Sequence, residues 1–182
     1  SVLIYSVLAK KVEAAKYLIA KGADIAVKDN DNRTALDYAN ALGLPYLVAE
    51  VSPEGFGETD AHGNTPLHQS CFNGQSEVVK AMLAKGNIDV NAVNNDGETP
   101  LFIAVMEDNI YVSELLLEAG AEADKATNAG YSPIHAAAEN ENEHMVDVLI
   151  RHGANVNCRN RDGETALIIG ARNGLNNVVA KL

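Results

Sequence analysis

Tryptophan is absent from this sequence, and aromatic residues make up only 5% of it. A core built from it must rest on Leu, Ile, Val and Ala rather than on large rings. Basic residues are scarce as well: 14 Lys and Arg stand against 25 Asp and Glu, for a net charge of −11. That balance argues against nucleic-acid binding, which needs a basic stripe to replace counterions on phosphates. The acidic excess instead keeps an extended, exposed fold in solution. Long apolar runs are missing, although 47% of residues are apolar. None approaches the ~18 residues that a membrane span needs. Of the two cysteines, Cys71 and Cys158, neither has a partner at a matching place in the internal repeat described next. A bridge is not expected, because it needs Cα atoms within about 7 Å. Two free thiols fit a reducing compartment.

What the chain does have is repetition. Thr65-Pro66-Leu67-His68 returns as Thr99-Pro100-Leu101-Phe102, as Ser132-Pro133-Ile134-His135 and as Thr165-Ala166-Leu167-Ile168. Upstream it is found as Thr34-Ala35-Leu36-Asp37 and faintly as Ser1-Val2-Leu3-Ile4. The starts are separated by 33, 31, 34, 33 and 33 residues. A fixed period near that length signals a stack of small supersecondary units. Thr or Ser can cap a helix by accepting from a free backbone N–H. Pro at the first helical position loses only an N–H that had no partner. Leu or Ile then points inward. A second apolar stretch at helical spacing follows in each unit, as in Val12–Ile19. Gly22, Gly86, Gly120 and Gly153 sit where a left-handed cap closes that helix. Single apolar anchors follow: Ile25, Phe56, Val90, Ala123 and Val156. Then comes a four-residue turn whose last position is Asn32, Gly63, Gly97, Gly130 or Gly163, as a positive φ demands.

These motifs resemble the ankyrin repeat, over essentially the whole chain. The resemblance implies an all-α repeat solenoid of stacked helix-turn-helix pairs with β-hairpin finger loops. We expect one repeat domain over 1–182, with motifs starting near 1, 34, 65, 99, 132 and 165 and the first and last units incomplete. The chain starts at Ser1 and ends at Leu182 inside repeats, so it reads as a fragment or processed segment. The units should stack by burying Leu101, Leu115, Leu116, Ile134, Leu149 and Leu167. The second unit departs from the pattern. It is short, its second helix opens at Leu44-Pro45, Glu50 takes an apolar slot, and residues 52–57 replace the Gly-Ala-Asp closure. It should be the weak point of the stack. The third unit carries an extra residue in Gly86-Asn87-Ile88-Asp89.

Few residues invite a chemical reading. In the family pattern, His68 and His135 bond the turn and support the stack. No histidines or cysteines have metal-ligand spacing. Asp29-Asn30-Asp31-Asn32-Arg33 opens like a calcium loop but lacks its later Gly and Glu. Neither a phosphate-binding lysine motif nor a nucleophile elbow is present. We therefore expect no catalytic residue, metal or cofactor. The segment from Leu83 to Asn91 resembles the hairpin that an asparaginyl hydroxylase modifies in some ankyrin proteins, which would make Asn91 an acceptor; the same residues also simply satisfy the repeat consensus.

In such proteins partners lie across the fingers and first helices, on the concave face. The repeat register places Leu42, Phe72 and Met106 there as an apolar floor, with Asn73 beside it and Tyr131 over its edge. Glu98, Glu107 and Glu139 form an acidic band, and Arg159, Arg161 and Arg172 lie at the C-terminal end. An apolar patch rimmed by charge is a partner site. The contrary reading tucks Phe72 and Met106 between helices and pairs the arginines with Asp162 and Glu164. The expected function is a non-catalytic protein–protein interaction module, monomeric and intracellular, cytoplasmic rather than nuclear. Its partner would be another protein or peptide, with no nucleic acid and no membrane. The alternatives are a substrate-recruiting region of a larger enzyme and a structural spacer.

Overall fold

The computed structural model describes residues 1–44, 47, 59–86 and 88–182. Expectations for Pro45, Glu50, Phe56, Asn87 and the spacer 52–57 lie outside the described residues. Among the described residues every regular element is a helix, and none is long and apolar enough to cross a membrane.

The chain divides into two compact units, residues 1–58 with 75–88, and residues 59–74 with 89–182. The first holds α1 (Val2–Leu8), α2 (Val12–Ala20), α3 (Ala35–Ala41) and α5 (Ser76–Ala84). There α1 packs on both α2 and α3, through Leu3, Ile4, Val7, Ala15, Ala35 and Ala39. The second holds α4 (Pro66–Phe72), α6 (Pro100–Met106), α7 (Ile110–Glu118), α8 (Pro133–Glu139), α9 (Glu143–Arg151), α10 (Ala166–Arg172) and α11 (Asn176–Val179). Within it α4, α6, α8 and α10 pack side by side in that order. Beside them α7, α9 and α11 form a second row, each against its own first helix.

Local chemistry sets the helix starts. Thr34, Thr65, Thr99 and Thr165 each accept from the backbone N–H three residues on, at 3.3, 3.4, 3.1 and 3.3 Å. Pro66, Pro100 and Pro133 fill first-turn positions where no donor is missed. The first helices of the second unit are short and bury one apolar face completely. In α8, Ile134 and Ala136 to Ala138 are all sealed from solvent. Alanines there let neighbouring helices approach closely.

Two expectations about the core need correction. Leu101, Leu116, Ile134 and Leu149 are fully buried, but Leu115 is only half-buried and Leu167 is 42% exposed. The inward face of α7 is Val112, Ser113, Leu116 and Leu117, so Leu115 falls on its flank. Leu167 belongs to the last helix pair of this chain. It has a neighbouring first helix on one side only, whereas Leu101 and Ile134 have one on each side. The anchors Ile25, Val90, Ala123 and Val156 are half-buried.

The turn glycines and Asn32 take positive φ as expected, from 63° at Asn32 to 82° at Gly130. A second left-handed column, absent from the sequence reading, ends the first helices at Lys10, Gly43, Gly74, Asp108, Glu141 and Gly174.

Candidate functional site

Each finger of the second unit is a tight turn rather than a strand ladder. The pattern repeats: Asn94 N–H donates to the Glu98 carbonyl at 3.0 Å, and Gly97 N–H to the Asn94 carbonyl at 3.0 Å. Asp60, Thr127 and Asn160 head the equivalent turns. The Asn94 side chain completes its turn by accepting from Asp96 N–H and Glu98 N–H at 3.0 and 2.9 Å. The short polar residue heading the turn is thus as necessary as the glycine closing it, a signal the sequence carried unread.

Fingers are tied to one another. Asn95 N–H donates to the His62 carbonyl at 3.0 Å and Asn128 N–H to the Asp96 carbonyl at 2.8 Å. Side-chain amides add Asn94 to Asn64 at 2.9 Å and Asn128 to the Asn95 carbonyl at 2.9 Å. Asn91 bridges the next loop, donating to the Gly120 carbonyl at 3.3 Å and accepting from Glu122 N–H at 2.8 Å.

The two motif histidines act as clamps. His68 Nε2 lies 3.0 Å from the Glu98 carbonyl, and His135 Nε2 lies 3.1 Å from the Glu164 carbonyl. A carbonyl can only accept, so Nε2 carries the proton and Nδ1 accepts from the backbone N–H of Thr65 or Ser132. Burial pulls the His68 pKa below its ordinary value. Ser132 Oγ sits 2.8 Å from His135 Nδ1 and 3.1 Å from Cys158 Sγ. The Ser132 hydroxyl proton therefore points at the imidazole and the thiol donates to Ser132 Oγ. This Ser–His–Cys cluster runs its protons inward and serves the clamp. Cys71 is sealed in the apolar core, and burial pushes its thiol far up. Asp29, in the other unit, is similarly committed. Its carboxylate accepts from Tyr38 O–H at 2.6 Å and from two turn N–H groups. Those bonds, the Tyr38 one foremost, hold its pKa below the usual range. Among the described residues no cluster of His, Cys, Asp and Glu could hold a metal ion.

Phe102 stands where the clamp histidines stand in α4 and α8. Phe102 has no ring N–H to give the Tyr131 carbonyl, which accepts from Thr127 N–H at 2.8 Å. An apolar wall is left in its place. Beside it opens a groove of about 520 Å³, lined by Asp96, Glu98, Phe102, Met106, Thr127, Asn128, Ala129, Tyr131, Glu139 and Arg161. It lies wholly within the second unit. Five residues read from the sequence meet here: Glu98, Met106, Tyr131, Glu139 and Arg161. Met106 is 45% exposed rather than tucked between helices. The Tyr131 ring packs edge-on against His135, with centroids 5.7 Å apart. Burial, and then the Glu139 carboxylate, raise its phenol above the usual range. Phe102 and the finger residues were missed, although the break in the histidine column at Phe102 marks the spot.

The other sequence-derived residues lie elsewhere. Phe72 is 62% exposed at the end of α4, with Asn73 exposed after it. Glu107 is exposed just past α6, and Leu42, half-buried, belongs to the first unit. Arg159 donates to the Gly163 carbonyl at 2.5 Å, and Arg172 pairs with Glu164. Two of the three arginines are thus engaged at home.

The repeat length, the helix pairs and the clamped fingers converge with a direct comparison. The family described as ankyrin repeats (3 copies) matches residues 43–127 and 119–182. This chain belongs to the ankyrin repeat family. Ankyrin repeats are protein–protein interaction modules. The NF-kappa-B inhibitor zeta of Homo sapiens is 33% identical over 117 residues, 60% of this chain and 15% of that protein. An ankyrin repeat and KH domain-containing protein of Caenorhabditis briggsae is 32% identical over 124 residues, 65% of this chain and 5% of that protein. The chain therefore spans a small part of the length of these curated relatives. Among solved structures, the ankyrin repeat domain of Bcl-3, described as a member of the IkappaB protein family, superposes with a TM-score of 0.88. The match has 30% identity and covers 98% of this chain and 82% of that one.

Proposed function

We propose that this ankyrin repeat region is a non-catalytic interaction module, one repeat domain over 1–182, that binds a partner protein or peptide across its fingers and first helices. The observation that carries the proposal is the groove lined by Phe102, Met106 and Tyr131, with Phe72 exposed at the end of the adjacent first helix α4. Exposed Met106 and Phe72, beside half-buried Tyr131 and oriented charge, have the make-up of a binding surface. The likeness to a protein named as an inhibitor of NF-kappa-B supports the same reading. The region acts as a monomer inside the cell, in the cytoplasm rather than the nucleus. The two free cysteines are in keeping with a reducing compartment.

The test uses a partner captured with this chain and titrated against paired variants. Phe72→Ala with Met106→Ala should lower affinity by about tenfold or more, because apolar anchors carry most binding energy. Lys80→Ala with Glu118→Ala, on second helices, should leave it within about twofold. Loss of binding from the second pair alone would place the partner on the second helices.

A further inference from the structure

The groove's chemistry points beyond a generic surface to what it takes. Its floor is apolar and aromatic: Phe102, Met106 and the Tyr131 ring. Its lining also carries carboxylates, Asp96 and Glu98 from one finger and Glu139 at the end of α8. The lining thus holds three carboxylates and one guanidinium, that of Arg161. The Glu98 carboxylate is oriented by Asn94, which donates to Oε2 at 2.8 Å. Among the described residues neither Glu98 nor Glu139 is satisfied by a cation of this chain.

We propose that the groove receives an arginine side chain from an extended segment of the partner, its methylene stem lying on exposed Met106 and its guanidinium held by the Glu98 and Glu139 carboxylates. This rests on the interaction reading above and names the residue it selects. An arginine stem gains from apolar contact while its head stays polar. The planar fork can serve two carboxylates at once and stack on the Tyr131 face, which a compact ammonium does less well. Arg161 lies on the next finger, where its guanidinium meets a carboxylate or backbone carbonyl flanking the guest arginine, and the three carboxylates outnumber the two cations.

The test is a titration of the full chain, isotope-labelled, with the acetylated, amidated peptide Gly-Leu-Arg-Leu-Gly. Amide signals of Ala129 and Gly130 should shift. The same peptide with citrulline, which keeps the shape and loses the charge, should bind at least about tenfold more weakly. The lysine peptide should fall between them. Glu98→Gln with Glu139→Gln should erase the arginine–citrulline difference, while Glu118→Gln on α7 should preserve it. Equal binding of the arginine and citrulline peptides overturns the inference. So does equal binding of lysine, stronger binding of a glutamate peptide, or shifts confined to other residues. The two failures are distinguishable. If the Phe72/Met106 pair governs a captured partner but arginine and citrulline do not differ, the module stands and the arginine subsite falls. If the arginine peptide binds here while a captured partner ignores that pair, that partner does not use this groove and both its surface and its arginine fall.

Discussion

Gly97 and Gly163 close equivalent turns with the same φ of 77°, yet their surroundings differ. A Cβ on Gly97 would stand 2.7 Å from the backbone nitrogen of Asn128, while one on Gly163 would meet nothing within 4 Å. Both alanine variants incur the left-handed penalty of ~1–2 kcal/mol. Gly97→Ala must also push the next finger away, so it should cost clearly more than Gly163→Ala in urea unfolding. Equal costs would mean the fingers are not in tight contact. His68 sets a second expectation. Its folded pKa lies below the ordinary 6.5, so the unfolded chain binds the proton more readily. Its contribution is complete above that ordinary value and is lost as pH falls toward the lower folded one. The urea midpoint should therefore drop between about pH 7 and pH 5. His68→Phe, which copies the native choice at Phe102, should flatten that drop even though it lowers stability at neutral pH. A variant with an unchanged slope would show that His68 is not the group responsible.

At the scale of the helix, α7 shows what could and could not be read from sequence. Its apolar spacing identified a helix, but three consecutive leucines left its inward face ambiguous. Leu116 is sealed and Leu115 is half-buried. Leu116→Ala should cost ~2–5 kcal/mol, because buried carbons are lost and a cavity remains. Leu115→Ala should cost less than about 1.5 kcal/mol. A reversed order would mean that α7 is rotated about its axis. The same division runs through the molecule. Caps such as Thr99 were legible because donor and acceptor lie three residues apart. The burial of Leu167 was not, because it depends on whether a neighbouring helix lies on each side. Of the candidate site, Met106, Tyr131 and Glu139 followed from the repeat register alone. Arg159 bonds the Gly163 carbonyl, a contact that arises only in the folded turn, while the pairing of Arg172 with Glu164 is the contrary reading that the sequence also offered.

At the scale of the whole molecule, stability in a repeat fold is a sum of unit terms and nearest-neighbour terms. In the second unit, α6 and α8 each have a first helix on either side and a second helix behind. By contrast α11 spans only Asn176–Val179, with Val178 its one buried residue. Amide exchange there should be slowest in α6 and α8 and fastest in α11. Uniform protection from α6 to α11 would show that the unit opens all at once.

The ties between fingers carry a consequence for how the second unit folds. The His68 clamp to Glu98 closes 30 residues, the His135 clamp to Glu164 closes 29, and the Asn128 tie to Asn95 closes 33. Each tie brings together points about one repeat apart, and none of them needs the distant ends of the chain to meet. Loop closure costs grow with the logarithm of length, so these closures carry nearly the same entropic barrier. Any adjacent pair of repeats can nucleate, and growth in either direction then meets the same small barrier again. Lengthening such an array by whole repeats would add stability without adding a slower step.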